Sequence, residues 1–183
     1  MTFSSDLVFD GQQRSPYLEE DRVNPLNVYG RTKAEAERQI LAINPDALVI
    51  RTSAFFGPWD SHNYVTRTLQ ELKHGRSVFA ENAVISPTYI PDLVHSSLDL
   101  MIDRASGLWH LTNSGEVSWG QMAEEVAHRA GLGEVLRALI QTAGPVPRAI
   151  RPEYSVLSSG RGMQLRHWQE ALECYFRDAK ISA

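Results

Sequence analysis

Residues 3–9, Phe-Ser-Ser-Asp-Leu-Val-Phe, predict a short β-strand that runs into the polar turn Asp10-Gly11-Gln12-Gln13. An acidic stretch with one proline, over 15–24, predicts a loop. A helix follows: Asn24 can cap it, Pro25 suits its first turn, and no further proline interrupts the chain before residue 43. Asn44-Pro45-Asp46 ends it. Residues 47–53, Ala-Leu-Val-Ile-Arg-Thr-Ser, are mostly apolar without alternation, as in a strand covered on both faces. Strand, helix and buried strand in that order predict a βαβ unit with a parallel pair.

Beyond Gly57-Pro58 the pattern changes. Val65, Leu69 and Leu72 give helical spacing to 63–74, and 83–89 reads as a strand before Pro91. Helices are expected over 92–102, over 118–130 with Ser118 as cap, and over 165–176 with Leu165, Trp168, Leu172 and Tyr175 or Phe176 on one side. A short strand is expected over 107–112, and a loop over 141–152, which holds three prolines. The fold class is therefore α/β.

Composition narrows the function classes. The chain has 183 residues, 43% hydrophobic and 22% charged, with a net charge of −4. That suits one soluble domain with a small appendage, large enough to bury roughly 70% of its unfolded surface without a staple. The single cysteine, Cys174, excludes an internal disulfide and any multi-cysteine zinc site. The six histidines form no pair at i, i+3 or i+4, so no metal is expected. The acidic balance argues against nucleic acid, and no apolar run reaches a membrane span. The first residues carry no signal-peptide pattern, so a cytoplasmic location is expected.

Tyr29 and Lys33 carry the chemistry. Four residues apart on the first helix, they share a face about one turn apart, on a stripe continued by Ala36, Ile40 and Ile43 and expected to pack on the sheet. An ammonium beside a phenol stabilises phenolate and suits the tyrosine to general acid catalysis. Gly30 would let a ligand or a strand approach closely. A hydroxyl-bearing strand end, Ser4-Ser5-Asp6, precedes the tyrosine by 24 residues.

A strand-end serine, a tyrosine and a lysine in this order resemble the Ser/Thr-Tyr-Lys set of short-chain dehydrogenases/reductases. Ser4-Ser5-Asp6-Leu7-Val8-Phe9-Asp10-Gly11 and Pro25-Leu26-Asn27-Val28-Tyr29-Gly30-Arg31-Thr32-Lys33 resemble, more closely, the dTDP-4-dehydrorhamnose reductases. Arg51-Thr52-Ser53, Ser86-Pro87-Thr88-Tyr89, Pro91-Asp92-Leu93, Gly107-Leu108-Trp109-His110 and Arg151-Pro152 with Ser155 and Leu157 are similar to later landmarks of that family. Residues 51–60 also resemble the reductase-like module that follows a family 1 glycosyl-hydrolase-like domain in some bacterial fusion proteins.

The resemblance implies the C-terminal part of a Rossmann-type parallel sheet over 1–57, with a smaller mixed α/β substrate-binding lobe mainly over 58–183. It implies NAD(P)H-dependent reduction of a 4-keto nucleotide sugar. Ser5 orients the carbonyl, Tyr29 supplies the proton, and Lys33 holds the nicotinamide ribose. Tyr29, Lys33, Thr52 and Ser53 would face the cofactor, NADP or NAD. Ser5, Asp6, Leu7, Ala54 and Phe56 would face the sugar, with Phe55, Trp59 and Tyr64 as further aromatic candidates. Asn63 and Arg67, one helical turn apart, could face a nucleotide phosphate.

Three departures bear on these expectations. Ser5 replaces a threonine, Leu7 stands where a tyrosine is common, and Ala54 stands where the family carries a substrate-contacting tryptophan. The glycine-rich phosphate turn has no counterpart, since Gly131-Leu132-Gly133 follows a helix and reads as a helix-ending turn. The expectation is a C-terminal portion, with roughly a hundred residues of a complete enzyme upstream. The chain alone should bind a dinucleotide poorly and be inactive. Its first strand would expose a sheet edge able to recruit a second copy into a homodimer. The alternative is a non-catalytic sugar-nucleotide-binding or regulatory module of the same fold, as in the regulatory subunit of methionine adenosyltransferase.

Overall fold

A computed structural model describes residues 1–132, 139–141 and 149–181. The chain enters through β1 (Thr2–Ser5), a 3-10 turn (Asp6–Val8), α1 (Val28–Ile43) and β2 (Leu48–Thr52). The middle holds β3 (Phe55–Phe56), α2 (Tyr64–Lys73), β4 (Val78–Phe79), β5 (Val84–Ile85), β6 (Thr88–Tyr89) and α3 (Ile90–Ile102). Then come β7 (Gly107–His110), β8 (Asn113–Ser114), β9 (Val117–Ser118) and α4 (Trp119–Arg129). The last described elements are β10 (Ile140–Gln141), β11 (Leu165–His167) and α5 (Trp168–Asp178). None of the described helices is long and apolar enough to cross a membrane.

The expected βαβ unit is present. β1, β2 and β7 form a parallel sheet in the order β1-β2-β7, with Ser5 level with Thr52 and Arg51 level with His110. All five residues of β2 are buried, as a strand between two neighbours and two covered faces requires. Alternation divides them. Leu48 and Ile50 join Leu93 and Leu100 of α3 in one apolar cluster, while Arg51 turns toward α1. There its guanidinium meets Glu37 through two bonds of 2.9 and 2.7 Å.

A second apolar centre gathers α2, α4 and α5, through Val65, Leu69, Met122, Val126, Leu172 and Tyr175. Ser118 caps α4 in a reciprocal box with Gln121, as its sequence predicts. Gly131 has a φ of +63°, consistent with a helix-ending turn; Gly133 and most of the loop expected over 141–152 lie outside the described residues.

Several boundaries differ from expectation. The first strand stops at Ser5, because the Ser5 hydroxyl accepts the Leu7 amide and starts a 3-10 turn. α1 is capped by Asn27, whose oxygen accepts the Gly30 amide at 2.8 Å; Asn24 binds Asp10 instead. The strand expected over 83–89 is two short strands broken at Ser86-Pro87, and 107–112 contains a strand only to His110. Residues 165–167 are a strand, so the last helix begins at Trp168. The packing face of α1 is also rotated by one position. Gly30, Ala34 and Glu37 turn inward, whereas Tyr29, Ala36 and Ile43 are exposed. Two contacts set that rotation: the Glu37–Arg51 pair, and the Leu7 carbonyl, which lies where a side chain on Gly30 would be.

Candidate functional site

The carboxyl ends of parallel strands are where an α/β sheet presents its loops and leaves a crevice. Ser5 ends β1, Thr52 ends β2, and the first turn of α1 brings Tyr29 beside them. These residues line one cavity of about 310 Å³, together with Asp6, Leu7, Ser53, Ala54 and Phe55. Tyr29 stands at its rim, 52% exposed. The Lys33 ammonium lies over the Tyr29 ring, 5.7 Å from its centre, and donates to the Phe3 carbonyl at 3.0 Å. The strand-end hydroxyl and the phenol thus share one cavity, with the ammonium behind the ring.

Hydroxyl chemistry dominates the floor. Ser5 donates to Asp6 Oδ1 at 3.0 Å, and Ser53 and Ser155 donate to Oδ2 at 2.8 and 2.6 Å. Asp6 is buried, and that burial raises its pKa above the ordinary carboxylate value although the three hydroxyls pull the other way. Thr52 donates to Thr88 at 3.1 Å. Thr52 and Ser53 line the cavity, and each hydroxyl proton is engaged by a protein partner.

A larger cavity of about 540 Å³ adjoins the first, and the two share Glu81, Trp119 and Arg151. Arg67, Tyr64, Thr68 and Phe79 line its far part. Tyr64 packs edge-on to Trp119 with ring centres 4.5 Å apart and donates to the Trp119 carbonyl. Burial pushes the Tyr64 phenol up to about 12, so it stays neutral. The two cavities adjoin at Glu81, Trp119 and Arg151, with Ser5 and Tyr29 in the smaller and Arg67, Glu71 and Tyr64 in the larger.

Three residues expected at the ligand sit elsewhere. Phe56 is buried against Tyr89 and Tyr175; its neighbour Phe55 faces the cavity instead, because successive strand residues point to opposite sides. Asn63 is a buried helix cap: its oxygen accepts the Thr66 amide and its amide nitrogen donates to the Gly57 carbonyl. Trp59 is 80% exposed and lines neither cavity. Glu81 and Trp119 also line the site without a motif that marks them, and Arg151 and Ser155 line it as well as being family landmarks. Arg151-Pro152 with Ser155 was the available signal.

A family model described as the RmlD substrate binding domain matches residues 1–181. A dTDP-4-dehydrorhamnose reductase of Mycolicibacterium smegmatis is 36% identical over 180 residues, 93% of this chain and 54% of that protein. The crystal structure of a dTDP-4-dehydrorhamnose reductase from Clostridium acetobutylicum is similar at a TM-score of 0.87 and 31% identity, over 98% of this chain and 65% of that one. The Bacillus anthracis dTDP-4-dehydrorhamnose reductase, solved in complex with NADP, is similar at 0.83 and 26% identity, over 96% and 64%. The chain spans about three fifths of the length of the curated relatives it matches.

Proposed function

Because this chain belongs to the RmlD substrate binding domain family, we propose that it forms the substrate-binding and proton-donating part of an NAD(P)H-dependent reductase acting on a 4-keto nucleotide sugar. The single observation carrying this reading is the cavity shared by Ser5 and Tyr29, with the Lys33 ammonium over the phenol. The sugar carbonyl sits between the serine and the tyrosine. Tyr29 gives its proton to the oxygen as the carbonyl is reduced, and the lysine charge stabilises the phenolate left behind. A reduced nicotinamide, when bound beside Tyr29 and Lys33, would supply the hydride.

The residues fit the nicotinamide-ribose end of that cofactor. Tyr29 is reachable from solvent, and an ammonium has donors beyond the one given to Phe3. Thr52 and Ser53 border the same side. The sequence has no glycine-rich turn for the pyrophosphate, so in this reading residues outside this chain hold it, and the chain alone is inactive. Residues 1–57 are then part of the sheet domain of the complete protein, and 58–183 mainly its substrate lobe, with β7 returning to the sheet. Leu7 and Ala54 border the sugar, with the Asp6 carboxyl engaged by Ser5, Ser53 and Ser155, while Arg67 and Arg151 face the diphosphate in the larger cavity.

In the complete protein, Tyr29→Phe should lower kcat by a factor on the order of 10²–10⁴ and leave NADPH affinity unchanged. Unchanged turnover by the phenylalanine variant overturns the assignment. One observation favours the non-catalytic module: Ala54 puts only a methyl on the sugar wall. A complete protein that binds the nucleotide sugar without reducing it would establish that second reading.

A further inference from the structure

Asp6 is a buried carboxyl surrounded by hydroxyls. Its three side-chain partners, Ser5, Ser53 and Ser155, all donate to it, and among the described residues it makes no ion pair. A serine hydroxyl has one proton and two lone pairs. While Ser5 gives that proton to Asp6 Oδ1, it has none for a ligand and can only accept. One of its lone pairs already takes the Leu7 amide at 3.2 Å.

A proton on Asp6 Oδ1 reverses the bond. The carboxylic acid then donates to Ser5 Oγ, both serine lone pairs are filled, and the serine proton is left for the cavity. The other oxygen of Asp6 still accepts from Ser53 and Ser155, so nothing else in the cluster must change. A ketone oxygen only accepts hydrogen bonds, whereas an alcohol can also donate.

We propose that Asp6 is a positioning residue acting through Ser5: protonated, it makes the serine a donor that holds a ketone, and ionised, it makes the serine an acceptor that holds an alcohol. The proposal rests on the reductase reading and gives it a selector between oxidised and reduced sugar. Burial favours the protonated form and raises the Asp6 pKa above the ordinary aspartate value, against the three hydroxyls that favour the ionised form. The other titratable or charged groups on this cavity are Tyr29 from α1 and Glu81 and Arg151 from the loops, with Lys33 behind the Tyr29 ring. All four are left intact by the variants below.

Asp6→Asn imitates the protonated acid, with its amide nitrogen donating to Ser5 and its oxygen accepting from Ser53 and Ser155. Ser5→Ala removes the hydroxyl that is switched. Calorimetric titrations of the complete protein with dTDP, dTDP-4-dehydrorhamnose and dTDP-rhamnose across pH give the ketone-to-alcohol affinity ratio. In the native protein the ratio should fall about tenfold as pH rises through the Asp6 titration. Asp6→Asn should hold it at the low-pH value, and Ser5→Ala should make it independent of pH. An Asn variant whose ratio follows the native curve overturns the proposal. Should that variant not fold, a pH-dependent ratio that persists in Ser5→Ala overturns it equally. Failure of dTDP itself to bind overturns the nucleotide-sugar reading and this proposal with it, whereas dTDP binding with an unchanged ratio removes only the role of Asp6.

Discussion

A buried acid without a counter-charge leaves a mark on stability. Because burial raises the Asp6 pKa, the folded chain keeps its proton to higher pH than the unfolded chain does. Between those two values the native state binds more protons, so stability falls as pH rises. The loss begins near the ordinary aspartate value of 3.8 and is complete above the folded-state value. Asp6→Asn has no such titration. Melting temperatures of the variant and the native chain should be offset by a constant at low pH, and the offset should shift in favour of the variant as pH rises. A constant offset throughout would mean that Asp6 titrates as it does in the unfolded chain. His110 works in the opposite sense. Burial first, and then the Arg51 charge, hold its pKa below the ordinary imidazole value, so the stability it contributes is lost as pH falls through that range.

Elements are held in place by contacts that the hydrophobic pattern does not report. α1 owes its rotation to Gly30 and to the Glu37–Arg51 pair, both on the face away from Ile43. Glu37→Gln leaves a buried guanidinium without its counter-charge and should cost about 3–5 kcal/mol in denaturant unfolding, whereas replacing both partners with Met should cost far less. Gly30→Ala gains helix propensity of about 1 kcal/mol but pushes a methyl into the Leu7 carbonyl and Pro25, so a net loss is expected. A more stable alanine variant would show that the helix can move off the 3-10 turn. The same contacts explain what could be read from the residues alone. The apolar run of β2 announces a strand covered on both faces, and Ser118 with Gln121 announces the start of α4. The ends of β1 and α1 are decided by single oxygens, of Ser5 and Asn27, that accept backbone amides. Ser4 and Asn24 look alike in sequence and do neither. Phe55 and Phe56 exchange roles because a two-residue strand has no alternation to read. Ser5 and Tyr29 are legible as partners through the resemblance to the Ser/Thr-Tyr-Lys set, and the strand end and helix start that carry them border one cavity. Trp119 and Arg151 join them only through the packing of distant segments.

Among the described residues, two adjoining cavities share Glu81, Trp119 and Arg151 but differ in the rest of their linings, and that asymmetry decides how the proposed binding divides between this chain and any larger protein containing it. In the proposed reading the residues that face the nucleotide sugar all line these two cavities: Ser5 and Tyr29 in the smaller, Arg67 in the larger and Arg151 in both. For the dinucleotide, the proposed reading assigns only the ribose end to the described residues, through Tyr29 and Lys33. Most affinity for a dinucleotide comes from backbone amides and a helix N-terminus around its pyrophosphate, and the sequence contains no turn of that kind. Calorimetry should therefore register dTDP binding by the 183-residue chain, and NADPH binding only by a chain extended upstream of Met1. NADPH binding by neither form would favour the regulatory module. The outer strand of the sheet adds a second consequence. β1 pairs only with β2 among the described strands, and Lys33 already occupies the Phe3 carbonyl on that strand. A second copy pairing along β1 must displace this lysine from its carbonyl, and a charged side chain held at an edge opposes such pairing. If the homodimer forms through β1, light scattering of the 183-residue chain should show a concentration-dependent dimer that Lys33→Ala strengthens and upstream extension removes. A clean monomer at high concentration in both the native chain and the alanine variant excludes that edge as an interface.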